Sequence, residues 1–296
     1  MDPMPARAEL SVPEQAAGSR LDAWLAARMD VSRAAAATLA SSGAVLVDGR
    51  PAAKSTRLRG GELVTVADEA PDPNEELPPP EIVWEDEHML VVDKPPGLVV
   101  HPAPGHRGAT LIELLAADAP RSPEPHAVHR LDRDTSGLML VARDESVQRQ
   151  LQAALRRREV EREYVALARG RLATRTGTID APIGRDPRRR TRMSTVTDKP
   201  REARTHFEVE RFVDGFTLAR VRLETGRTHQ IRAHFAAIGH PLAGDREYGG
   251  PAVPGLGRQF LHSARLALEL PWSGARHEWR SELPPDLRAA LQRAQG

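Results

Sequence analysis

The 296-residue chain contains no cysteine, which excludes a disulfide framework and any thiolate metal site and fits a reducing compartment. No apolar run approaches the ~18 residues that a membrane-spanning helix needs. The opening stretch MDPMPARAELSVPEQ has no apolar segment behind its basic residues, so it does not read as a secretory leader. A soluble, cytoplasmic protein is expected. Lysine is scarce, with only Lys54, Lys94 and Lys199, whereas arginine occurs throughout, so arginine counts alone carry little weight. The net charge of +1 offers no general attraction to a polyanion; any binding of nucleic acid must come from local clusters.

The length suggests about two domains. Residues 1–70 read as helices followed by a hairpin. Leu21, Trp24, Leu25 and Arg28 fall at helical spacing after Ser19, and a second helix can run from Ser32 to Gly43. AVLVDGRPAA holds a strand and an Asp48-Gly49 turn, and ELVTVA supplies another strand after Gly60-Gly61. The segment 71–81, PDPNEELPPPE, is acidic and proline-rich and can be neither helix nor central strand; it separates this domain from residues 82–296.

The larger domain is organised around HAVHRLDRDTSGLMLVARD, residues 126–144. Its middle is polar and turn-rich, and the run Leu138 to Ala142 suits a buried strand, so a rigid strand presents a charged loop. Asp134-Thr-Ser-Gly alone could be a turn bonding its own backbone. His129, Arg130, Asp132, Arg133 and Asp134 together are more titratable chemistry than a turn requires.

Upstream, Met89 to Val92 and Leu98 to Val100 read as short strands joined by the stiff turn Lys94-Pro95-Pro96-Gly97, with a helix over about 109–117. Downstream, Val147, Leu151, Ala154 and Leu155 mark an amphipathic helix, and REYVALARG is a strand carrying Tyr164. A tyrosine there is more often packing than chemistry. GRDPRRRTRM, 184–193, is the densest positive cluster and must be an exposed loop or hairpin tip. In VRLETGRTHQIRAHFAAIGHPLAGDREYGG, 221–250, Val221, Leu223 and Thr225 alternate as a strand, Gly226 allows a turn, and Thr228 can cap a helix bearing Ile231, His234, Phe235 and Ile238. His229, His234 and His240 have the wrong spacing for ligands on one helical face, which argues against a metal site.

The nonapeptide His129 to Gly137 resembles the HRLDxxTSG signature of the RluA-type pseudouridine synthases. The 221–250 stretch is similar to the same family's TGRTHQIRxHxxxxGHPxxGDxxYG, and residues 93–102 to its DKPxGLVVHP. FLHSARLALELP resembles its closing strand, with Leu270-Pro271 where an HP pair is usual. SRLDAWLA, VSRAAAATLASSGAVLVDGRP and GGELVTV resemble the small αL RNA-binding domain first known from a small-subunit ribosomal protein, as in the RluD-like members of the family.

The resemblance implies an α+β fold, with a bent, mainly antiparallel sheet flanked by helices. It implies isomerisation of uridine to pseudouridine, in large-subunit ribosomal RNA or in transfer RNA, by a monomer that uses no cofactor and no metal. Asp132 becomes the nucleophile, Arg232 the arginine paired with it, and Tyr164 the ring that stacks on the target base. His129, Arg130, Thr135 and Arg227 become RNA contacts of the cleft. Arg185, Arg188, Arg189 and Arg190 become phosphate contacts near it, and Arg33, Arg50, Lys54, Arg57 and Arg59 a phosphate-binding patch on the small domain.

The chemistry is consistent with these residue types. A carboxylate can divide cleavage of a glycosidic bond into two easier steps. It must be ionised, and a neighbouring arginine favours that form. Unstacking a base costs a few kcal/mol, which stacking on an aromatic ring, worth about 1–3 kcal/mol, can offset. Two rivals are a glycoside hydrolase using Asp132 and Asp134, whose two-residue separation suits opposite faces of a bond poorly, and a non-catalytic RNA-binding protein.

Overall fold

A computed structural model of the chain describes residues 6–41, 44–67, 80–102, 108–118, 124–189 and 191–294. The chain divides into two compact units, residues 1–76 with 103–109, and residues 77–102 with 110–296. Most of the expected 71–81 linker, and Gly43, lie outside the described residues.

The first unit contains β1 (Ala6–Ser11), α1 (Leu21–Met29), α2 (Arg33–Ser41), β2 (Val45–Val47), β3 (Arg50–Pro51) and β4 (Leu63–Ala67). Ser32 starts α2 as the sequence suggests, its Oγ accepting the Ala35 N–H at 3.1 Å. Asp48 and Gly49 both have positive φ, 49° and 74°, as a two-residue hairpin turn demands. The strands form an antiparallel sheet in the order β1-β4-β2-β3. Leu21, Leu25, Ala36, Val45, Val64 and Val66 fill the core between it and the helices. The sequence pattern did not single out β1, which is held by its pairing with β4.

The second unit runs β5 (Glu81–Glu85), β6 (Met89–Lys94), α3 (Leu111–Asp118), β7 (His126–Ala127), β8 (Ser136–Ala142), α4 (Glu145–Arg156), β9 (Glu161–Arg169) and β10 (Thr176–Asp180). It continues with β11 (Gly184–Arg185), β12 (Met193–Ser194), β13 (Arg204–Val213), β14 (Phe216–Leu223), α5 (Gln230–Ala237), β15 (Leu261–Glu269), β16 (Arg276–Arg280) and α6 (Pro285–Arg293). The fold is α+β, with a large, mainly antiparallel sheet in the order β10-β13-β14-β9-β15-β8-β6-β5. Strand alternation sends Leu90, Val92, Met139, Val141, Tyr164 and Ala166 to one face, under Ile231 and Phe235 of α5. Met89, Val91, Leu138 and Leu140 go to the other, against Val147 and Leu151 of α4.

Two local expectations change. Leu98 and Val100 are buried but form no strand; the Leu98 carbonyl accepts from Lys94 Nζ at 2.9 Å, which takes it out of any ladder. Thr228 does not cap α5. The N-cap is His229, in the left-handed region at φ 53°, without a side-chain cap bond. Instead Gln230 Oε1 accepts from the Arg227 N–H at 3.0 Å and from Thr225 Oγ1 at 2.8 Å, so the helix entrance is closed from within the helix.

The sheet's centre is the parallel contact of β8 with β15, where Gly137 pairs with Ser263. Gly137 has φ 110°, and a Cβ there would sit 2.3 Å from the Ser263 carbonyl oxygen. Gly137→Ala is therefore expected to destabilise the second unit by on the order of 2–4 kcal/mol, read as a lower denaturant midpoint; an unchanged midpoint would mean that this close approach does not fix the junction.

Candidate active site

Asp132 leaves the sheet on the loop that precedes β8, and this loop is held largely through its backbone. Lys94 Nζ donates to the Arg133 carbonyl at 2.8 Å, and to the carbonyls of Pro95 at 2.8 Å and Leu98 at 2.9 Å. The Gly97 N–H also donates to the Arg133 carbonyl, at 2.9 Å. Arg258 Nη1 donates to the Asp134 carbonyl at 2.9 Å, and Gln259 Nε2 to Thr135 Oγ1 at 3.1 Å. Lys94 has no exposed surface; burial pulls its pKa down to about 7, against the charges of Asp134 and Asp132. The lysine is thus part of the loop's frame.

The loop brings Asp132 to the lining of a cavity of about 420 Å³, together with Tyr164, His229 and Arg232. Arg232 Nη1 donates to Asp132 Oδ2 at 3.2 Å. The rest of the guanidinium is held by Asp245, Nε to Oδ2 at 2.7 Å and Nη2 to Oδ1 at 2.9 Å, and by Glu247 Oε2 at 2.8 Å. Arg232 is buried; desolvation alone would lower its pKa, but the bond to Asp245 and the charges of Asp132, Asp245 and Glu247 raise it well above the usual arginine value. It stays a cation, and two carboxylates fix the direction in which it faces the third.

His229 lies between Asp132 Oδ1, at 3.9 Å from Nε2, and Glu247 Oε2, at 3.7 Å from Nδ1. Tyr248 packs beneath, its ring 4.9 Å from the Arg232 guanidinium carbon. The Tyr248 hydroxyl donates to the Met193 carbonyl and accepts the Met193 N–H, which ties the β11–β12 hairpin to the site. Asp134, by contrast, pairs with Arg133 at 3.0 Å and is not on the cavity wall, so the two loop carboxylates do not face one another across it.

Tyr164 is 4% exposed and forms part of the cavity floor; burial raises its pKa. His129 and Thr135 line the cavity, but their polar atoms serve the fold: His129 Nε2 accepts the Leu140 N–H at 3.1 Å, and Thr135 holds Gln259. Burial, helped by the charge of Arg162, pulls the His129 pKa down to about 3. Arg130 is exposed and lines the cavity, as does Arg227, which donates to the Glu202 carbonyl at 2.9 Å. Arg185, Arg188 and Arg189 are exposed on the hairpin and do not line the cavity, and Arg190 is outside the described residues.

In the first unit Arg33, Arg50, Lys54, Arg57 and Arg59 are all exposed. Three of them gather at the start of α1. Arg33 Nε is 3.5 Å from Asp22, the Lys54 carbonyl accepts the Asp22 N–H, and Arg57 bridges Arg20 and donates to the Gly18 carbonyl. Arg50 sits in the β2–β3 hairpin and the Arg59 N–H binds Glu62. Arg20, not singled out from the sequence, belongs to the same cluster. The three histidines diverge: His234 is buried against Thr205 and the Ala181 carbonyl, and His240 binds the Arg169 carbonyl, both away from His229.

Sequence reading missed Asp245, Glu247 and Tyr248 as parts of the site, although all three lie in the GDREYGG that closes the third motif. Lys94 was read only as part of a stiff turn and of the DKPxGLVVHP resemblance, and Arg162 was missed, with no signal beyond its place in a strand pattern.

In the second unit a carboxylate held by a buried arginine lines a cavity, an arrangement suited to acid–base or nucleophilic chemistry on a substrate that enters it. The sequence matches the RNA pseudouridylate synthase family over residues 88–237 and the S4 domain over residues 19–64. The chain is 43% identical to "Ribosomal large subunit pseudouridine synthase D" of Nitrosomonas europaea, covering 96% of this chain and 87% of that protein. It is 39% identical to the RNA pseudouridine synthase YlyB of Bacillus subtilis, covering 96% and 97%. The solved structure of human RNA Pseudouridylate Synthase Domain Containing 1 superposes with a TM-score of 0.58 at 27% identity, over 71% of this chain and 87% of that one. The chain belongs to the RNA pseudouridylate synthase family and is an isomerase acting on RNA. Within that family it is of the RluD-like kind, with an N-terminal S4 domain.

Two outcomes follow from this geometry. Asp245→Asn frees one side of the Arg232 guanidinium, and turnover is expected to fall by up to about 10²-fold with RNA affinity little changed; full single-turnover activity would show that Asp245 does not position Arg232. His129 titrates at 6.5 ordinarily and at about 3 in the fold. The unfolded chain therefore takes up its proton first, so stability present above pH 6.5 is lost as pH falls toward 3, by up to roughly 1.4 kcal/mol per pH unit. Denaturation midpoints against pH should be flatter for His129→Gln over that window, and parallel curves would contradict the assignment.

Proposed function

We propose that the protein converts particular uridines of large-subunit ribosomal RNA to pseudouridine, with Asp132 as the group that acts at the ribosyl–uracil bond. The observation that carries this reading is the 3.2 Å contact between Asp132 and Arg232 on the wall of a cavity floored by Tyr164. The N1–C1′ bond breaks, the uracil turns, and C5 joins C1′; C5 gives up its proton and N1 takes one, so the product is an isomer with no net redox change. No metal or organic cofactor is required by that balance. Asp132 opens the bond either by attack on the ribose, giving a covalent intermediate, or by taking a ribose proton, giving a glycal. Arg232 aims the carboxylate through its hydrogen bond, and Tyr164 supports the extruded base.

Large-subunit ribosomal RNA is favoured over transfer RNA because relatives that match along nearly the whole chain carry that substrate in their names. The S4 domain, through the cluster of Arg33, Lys54 and Arg57, adds phosphate contacts that raise affinity without choosing sequence. Arg130, Arg227 and the hairpin arginines Arg185, Arg188 and Arg189 extend the contact around the cavity mouth. The enzyme works in the cytoplasm, as a monomer on folded RNA.

Pseudouridine mapping by carbodiimide treatment and primer extension, in cells with and without the gene, tests the substrate directly: sites lost from large-subunit ribosomal RNA are expected, and sites lost only from transfer RNA would replace that part of the proposal. Asp132→Asn keeps shape but removes the charge, so single-turnover conversion should vanish while RNA affinity holds; persisting conversion would move the reactive group elsewhere. Replacing Arg33, Lys54 and Arg57 together with glutamine should shrink the slope of log affinity against log salt by about 0.7–0.9 per lost contact, at an unchanged rate with saturating RNA. An unchanged slope would remove the small domain from the RNA interface.

A further inference from the structure

Arg162 lies on β9 two residues before Tyr164, on the same face of the sheet, about 7 Å along the strand. It is 7% exposed and lines the cavity. Arginines buried to that degree are ordinarily paired. Arg232 meets three carboxylates, and Arg258, also buried, is bidentate on Asp286. Arg162 has no ion-pair partner among the described residues, and its buried Nε donates to nothing. Burial lowers its pKa, and the only opposing influence is the Tyr164 hydroxyl.

Its neighbourhood keeps the space around it clear. A Cβ at Gly226 would stand 2.7 Å from Arg162 Nη1, so the end of the guanidinium lies directly over this glycine, whose φ is outside the left-handed region. His129, which lies close enough to be depressed by the arginine's charge, is neutral and offers it no counter-charge.

An uncompensated buried cation costs folding stability, so an anion that arrives with the substrate is the natural partner. A uridine within RNA brings only one kind of formal charge, its phosphodiesters. With the base over Tyr164, the adjoining backbone lies one nucleotide's length away, which the offset from Tyr164 to Arg162 matches. We propose that Arg162 is a substrate-binding residue that takes a phosphodiester adjoining the target uridine, and so fixes how far the nucleotide enters the cavity. This rests on the reading that the target base is held at Tyr164.

The test uses the full-length protein and a short RNA spanning a uridine that the wild-type protein converts, made with natural linkages or with one uncharged methylphosphonate on the 5′ or the 3′ side of that uridine. Arg162→Met should bind the natural RNA about 10- to 100-fold more weakly, the range for a charge-assisted hydrogen bond. One of the two neutral linkages should weaken wild-type binding by the same factor and Arg162→Met not at all, which also identifies the side. Thermal melting adds a readout that a scaffold role would move the opposite way: Arg162→Met should melt no lower than wild type, because an unpaired buried charge has gone. Should that protein fail to fold, Arg162→Lys with the same RNA pair carries the comparison, with a reduced response to the neutral linkage. Linkage effects equal in both proteins would overturn the proposal, as would unchanged affinity with slower conversion, which would instead direct the guanidinium at the departing uracil. A wild-type protein that converts no uridine would sink the functional reading and this inference with it, whereas lost coupling with conversion intact would sink this inference alone.

Discussion

One guanidinium organises the reactive end of the cavity. Arg232 makes four hydrogen bonds to three carboxylates; the three shorter ones go to Asp245 and Glu247, and the longest goes to Asp132. That division has a physical consequence. A buried arginine bound only to Asp132 would tie that carboxylate up in solvating its partner. With Asp245 and Glu247 meeting most of the demand, Asp132 receives a fixed positive field through a single bond and keeps its other oxygen toward His229 and the cavity. The excess of acid over base is tolerable because Glu247 and Asp132 are partly exposed at 32% and 15%.

The backbone has been arranged to make that single bond reliable. Asp132 and Arg232 are 100 residues apart in the chain, one on the loop before β8 and the other on α5. On one side Lys94, Gly97, Arg258 and Gln259 grip the loop at the carbonyls of Arg133 and Asp134 and the hydroxyl of Thr135. On the other, Gln230 closes the start of α5 while Tyr248 braces its arginine. Between them β8 and β15 run parallel at the Gly137–Ser263 approach, so the loop and the floor of the cavity share one rigid sheet. Groups on rigid strands and helix starts hold reactive geometry better than groups on free loops.

Charge is distributed by task. The chain is close to neutral overall, yet its cations differ in setting: exposed on the small domain and the β11–β12 hairpin, paired at Arg232 and Arg258, and without an ion pair among the described residues at Arg162. Paired and unpaired arginines look identical in a composition count. Only the identity of the neighbouring atoms separates a structural cation from one left for a ligand.

The sequence by itself determined the elements and the chemistry-bearing motifs. A continuous apolar run marked β8, the strand pattern around Tyr164 marked β9, the Ser32 start marked α2, and the Asp48-Gly49 pair marked the hairpin, because these depend on contacts a few residues long. The nonapeptide around Asp132 and the stretch around Arg232 were legible for the same reason. What only the tertiary structure decided was which polar groups serve the fold and which face the substrate. His129, Thr135 and Lys94 turned out to frame the loop, Asp245 and Glu247 to hold the arginine, Leu98 to lose its ladder to a lysine, and Arg162 to stand without a counter-charge. A polar side chain's role is set by what lies within about 3 Å of it, and in this sheet those atoms come from strands up to a hundred and more residues away along the chain.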